Sequence, residues 1–145
     1  MDPIVTYWDD EDVAVSSGNP VSFTDIEKGT ISSIFKLWIW NDRGQAGADD
    51  IVSPKFHAVN GPGDAGAIFA GTNWNSSESM LEARSCAAVG VSADQHTDWA
   101  VIGPMDFLSM GSIIAYSARE IEIRLNVPGD ADALSLTNFT FRLQY

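Results

Sequence analysis

The chain has 145 residues and a mass of 15.7 kDa, enough for one domain that buries a real core without metals or disulfides. Its formal net charge is −12, with only eight basic residues scattered along the chain, which argues against binding nucleic acid, since that binding relies on clustered Lys and Arg releasing counterions. No apolar run approaches the ~20 residues of a membrane helix, Met1-Asp2-Pro3 opens no basic and apolar leader, and a single cysteine cannot build a disulfide framework.

Short β-type runs separated by Gly, Pro, Asn and Asp clusters predict an all-β antiparallel two-sheet sandwich, Ig-like or jelly-roll-like, with little or no helix over residues 1–145. Residues 1–12 could form an extended N-terminal arm. Within them, Asp9-Asp10-Glu11-Asp12 is the densest acidic run, yet it lacks the spacing of a calcium-binding loop and reads as a solvated connection between two strands. Pro20 to Ile26 is a candidate strand, and Asp25 to Gly29 a strand end and turn. Thr30 to Asn41 reads as one long strand, with Phe35, Leu37 and Ile39 on one face and Ile34, Trp38 and Trp40 on the other. Two apolar faces require either cover from within the domain or a partner on one of them.

Asp49-Asp50 and Asp130/Asp132 read as loop carboxylates, and a calcium site built from such loops has no legible spacing. Ile51 to Val59 is a further strand, followed by the turn Asn60-Gly61-Pro62-Gly63-Asp64 and a candidate strand from Ala65 to Thr72. Trp74 lies in a polar stretch and reads as a loop-borne aromatic. Ser77 to Ala88 admits a helix through the spacing of Met80, Leu81 and Arg84, although the serines and the β context favour extended chain. Cys86 reads as a small buried hydrophobe, and His57 and His96 as structural or solvated. The tripeptides at Asn75 and Asn138 that match a glycosylation acceptor read as chance.

Trp99 to Ile102 and Ser112 to Ser117 are short candidate strands. Glu120 to Val127 gives the clearest signal: Ile121, Ile123, Leu125 and Val127 alternate with Glu120, Glu122, Arg124 and Asn126, predicting a strand with one buried and one wet face. Pro128-Gly129-Asp130 ends it. The last run repeats the pattern, with Phe139, Phe141, Leu143 and Tyr145 on one face.

No catalytic residue, metal ligand or cofactor site is predicted: the chain has no nucleophile elbow, no phosphate-binding glycine loop and no zinc motif. The five tryptophans are the more informative feature, because exposed aromatics in polar surroundings anchor interfaces. Trp8, Trp38, Trp40 and Trp74 are the predicted partner-binding residues.

Two portions of the chain carry a resemblance. Asn19-Pro20-Val21-Ser22-Phe23, Gly29-Thr30-Ile31-Ser32-Ser33 and the strand reaching Trp40-Asn41-Asp42 form one; Ile121 to Pro128, closing on Phe139 to Leu143, form the other. Over about half its length the chain thereby resembles the Ig-like sandwich domains of accessory structural proteins in tailed bacteriophage particles. The resemblance implies a non-enzymatic virion protein, foremost a capsid decoration (cement) protein that binds between major capsid subunits, as a homo-oligomer with a trimer favoured. A tail or baseplate accessory protein, and a carbohydrate-binding module using Trp74 and a loop-bound calcium, are the alternatives. None of these readings involves nucleic acid or membrane.

Overall fold

The computed structural model describes residues 1–16, 18–21, 23, 29–59, 81–85, 97–103, 106–126 and 140–145. Among these described residues eight strands are formed: β1 (Val5–Asp9), β2 (Phe35–Asn41), β3 (Lys55–Val59), β4 (Leu81–Ser85), β5 (Ala100–Val101), β6 (Leu108–Ser109), β7 (Ser117–Leu125) and β8 (Thr140–Gln144). They make two antiparallel sheets, a five-stranded one in the order β1-β2-β7-β4-β5 and a three-stranded one in the order β6-β3-β8. The fold is thus an all-β, two-sheet sandwich with no helix among the described residues.

Alternation places the core. On the five-stranded sheet Leu37, Ile39, Leu81, Ala83, Ile121, Ile123 and Leu125 are fully buried. The pairs Leu37↔Ile121 and Ala83↔Ile123 lie directly opposite one another and so share that inner face. Phe56, Ala58 and Leu143 cover it from the three-stranded sheet. Phe56 joins the layers, meeting Tyr7 of β1 edge-on at 6.5 Å and stacking on Phe141 of β8 at 5.1 Å. Each such side chain contributes about 1.5–3 kcal/mol by leaving water.

Several expectations are revised. The strand expected over Thr30–Asn41 starts at Phe35; upstream, Ile31 bridges Asn126, and Ser32 exchanges hydrogen bonds with Leu125. Val5–Asp9 within the proposed arm is an edge strand of the larger sheet, hydrogen-bonded to β2. Within Ser77–Ala88 the favoured extended reading holds over β4, where Leu81, Ala83 and Ser85 all face the core. In Ser112–Ser117 Ile113 makes an isolated bridge to Ile51, and after a turn at Tyr116 the chain enters β7 at Ser117, which pairs with Asn41. The candidate strand Ala65–Thr72, the turn 60–64, Cys86, His96 and Asp130/Asp132 lie outside the described residues.

The second face of β7 is not wet. Glu120 and Glu122 are each 5% exposed. β7 is the central strand, so long side chains from both neighbours fold across it. Lys36 approaches Glu120 at 3.9 Å, and Arg84 grips Glu122 through Nη2 and Nε at 2.9 and 3.0 Å. Arg124 pairs with Glu82 at 2.8 Å, and the Trp99 ring lies against both Arg84 and Arg124, 4.4 and 3.9 Å from centroid to guanidinium. This half of the outer face is closed by its own ion pairs.

Candidate functional site

The other half of that face carries the tryptophans. Trp8 lies directly across from Trp38, and Trp40 across from Thr6 on β1 and Ala118 on β7. These positions alternate with the buried Leu37 and Ile39, so Trp38 and Trp40 face away from the core and are half-buried. They form the floor of an open groove of about 480 Å3 whose sides are Tyr116 and the acidic turn bearing Asp9, Asp10 and Asp12.

The acidic turn is built by its own carboxylate. Asp9 Oδ1 accepts the backbone N–H groups of Glu11 and Val13, both at 2.9 Å, and Oδ2 accepts Asn19 Nδ2 at 2.9 Å. The Asn19 hydrogen bond leads in holding this carboxyl below the usual aspartate range; partial desolvation opposes it, and the backbone bonds assist. Asp12, at a left-handed φ of 63°, turns its carboxylate to Arg43, with contacts of 2.8 and 2.9 Å. That hydrogen bond lowers the Asp12 pKa and raises that of Arg43. The Arg43 guanidinium carbon also lies over Trp8, 3.6 Å from the ring centroid, and 5.1 Å from that of Trp40.

Arg43 is aimed there by the turn that ends β2. Asn41 and Asp42 are both fully buried polar residues. Asn41 Nδ2 donates to the carbonyls of Asp49 and Ile113, at 2.9 and 3.1 Å, and Oδ1 accepts from Ile4 N–H. Asp42 adopts φ 57°, a left-handed conformation that Asp tolerates, and its carboxylate accepts the N–H groups of Ala46, Gly47 and Ala48 at 2.7–2.8 Å. Burial pushes its pKa up, but those three bonds together win and hold it low. Gly47, at φ 92°, allows the backbone to curl around that carboxylate. Tyr116 N–H then bonds the Asn41 carbonyl, which fixes Tyr116 at the mouth of the groove.

Of the predicted partner-binding residues, the structure brings together Trp8, Trp38 and Trp40, but only Trp38 and Trp40 line the groove; Trp8 lies beneath Arg43. Trp74 lies outside the described residues. Arg43, Asp42 and Tyr116 were not singled out in the sequence, and the Asn-Asp pair at the end of an apolar strand was their only local signal. His57, 4% exposed, spends both ring nitrogens within the protein, on the Gly103 carbonyl beyond β5 and on the Gln144 side chain of β8, each at 3.2 Å. Among the described residues no group of three or more His, Cys, Asp or Glu is placed to hold a metal ion.

Comparison with protein-family models gives no match, and none of the curated proteins matches the chain. The functional reading therefore rests on the geometry of the groove and its charge.

Proposed function

We propose that the protein is a non-enzymatic structural component of a virion, foremost a capsid decoration protein, which docks on its partner through the tryptophan-bearing face of the five-stranded sheet. One observation carries the reading. Trp38 and Trp40 face away from the buried core of the described residues, and they floor an open groove rather than packing beneath a second layer of the described structure. Aromatic side chains at the centre of a concave patch, rimmed by polar groups, are what interface anchors require. The excess negative charge suits a protein displayed in many copies, because it keeps decorated particles apart.

The major capsid protein, or another virion protein, is the expected partner, and a trimer the expected solution state. Purified protein mixed with undecorated shells should co-sediment with them and raise their heat resistance, and the double variant W38A/W40A should lose both effects while keeping its fold. Protein that fails to bind shells, or labelled protein found on tails, would overturn the decoration reading.

A further inference from the structure

We infer that the groove over Trp38 and Trp40 receives a positively charged side chain, an arginine or lysine presented by the protein partner. The inference rests on the reading of this face as a docking surface and names the chemistry that surface selects.

Three carboxylates edge the groove, those of Asp9, Asp10 and Asp12, against the single guanidinium of Arg43. Asp9 and Asp12 are engaged within the chain, whereas the Asp10 carboxylate has no ion pair among the described residues. The floor is lined by two indoles, and Tyr116, 49% exposed, forms the opposite side. Aromatic faces beside a carboxylate attract a cation twice, through the ring quadrupole and through the charge.

The molecule already shows that a guanidinium suits this surface. Arg43 contacts an indole face and an aspartate at once, with the Trp8 centroid at 3.6 Å and Asp12 at 2.8 Å. The groove offers the same pairing along β2, with Trp38 and Trp40 in place of Trp8 and Asp10 in place of Asp12. Charge selects the occupant: an acidic segment would be repelled. A second copy of this chain, at −12, brings few cations, and Lys36, Arg43, Arg84 and Arg124 are committed to internal pairs. A basic partner segment uses both the rings and the carboxylates.

The test follows the indole N–H resonances of 15N-labelled full-length protein, assigned with W38F and W40F. The protein is titrated with the peptide Ac-Gly-Arg-Gly-NH2 and with its neutral citrulline counterpart. Saturable shifts at Trp38 and Trp40 are expected with the arginine peptide, at a dissociation constant on the order of 10 mM. The citrulline peptide should bind about tenfold more weakly, and D10N should bring the arginine peptide close to that level. Salt should weaken the arginine peptide selectively. Equal shifts with both peptides, shifts confined to other tryptophans, or none at all would overturn the inference. If shells bind the protein but the peptide does not, the docking reading stands and the cation inference falls. If the arginine peptide binds but no shell does, the inference stands and the decoration reading falls.

Discussion

Tyr7 should make the fold alkali-sensitive. It lies on β1 at the layer boundary, edge-on to Phe56, and burial is the main reason that its pKa rises from 10.0 to about 12; a backbone hydrogen bond from Leu143 opposes the rise and the nearby Tyr145 adds to it. A phenol whose folded pKa exceeds its unfolded one favours the folded state fully below pH 10, the unfolded pKa. That contribution is lost as the pH rises through about 12, because unfolding then releases the proton. A shift of about two units corresponds to roughly 2–3 kcal/mol. Urea-unfolding midpoints measured from pH 8 to pH 12 should therefore fall in the wild-type protein by that equivalent. In Y7F the starting stability drops by about 1 kcal/mol for the lost Leu143 bond, but the alkaline decline flattens. Subtracting Y7F from wild type in a near-ultraviolet absorbance titration isolates Tyr7 from the other two tyrosines. An identical alkaline decline in both proteins, or a Tyr7 phenol that ionises near 10, would refute the reasoning.

Other expectations follow from the same geometry. Phe56→Ala removes the ring that links Tyr7 and Phe141 and should cost about 3–5 kcal/mol, lowering Tm by roughly 10 °C or more in a calorimetric scan. Arg84→Ala strips two contacts from a buried Glu122 carboxylate and should cost about 2 kcal/mol by urea unfolding, with Arg84→Lys recovering part of it. Asp9, Asp12 and Asp42 all have carboxyl pKa values held below 3.8, so the stability they add is complete above that pH and is lost as acid takes the pH down through their folded values. Circular dichroism of wild type and Asp42→Asn across pH 2–5 should show a shallower acid transition in the variant.

The legible parts of the fold are those where one residue type dominates one face. Ile121, Ile123 and Leu125 alternate cleanly with charged residues, and the register of β7 follows from that. In β4 the signal is weaker, since Leu81, Glu82, Ala83 and Arg84 are all good helix formers, and only the pairing with Ile123 and Leu125 makes the segment a strand. The closed outer face around Glu120 and Glu122 was equally hidden, because a carboxylate in an alternating strand gives no sign of an arginine arriving from a neighbouring strand. In the site, Trp38 and Trp40 were visible as apolar surplus beyond what one face needs. Arg43 and Tyr116 were not, since their positions depend on a left-handed turn at Asp42 and on a contact between Asn41 and a residue far along the chain.

That contact makes the groove depend on segments far apart in the chain. The floor of the groove comes from β2, but Tyr116 arrives at the head of β7, and the Asn41 amide reaches the Ile113 carbonyl just ahead of it. Pairings so distant in sequence carry a loop-closure cost that the contacts on both sides of the groove must offset. The groove is therefore a tertiary feature: it exists only where the end of β2 and the head of β7 have come together, and no isolated hairpin of this chain could present it.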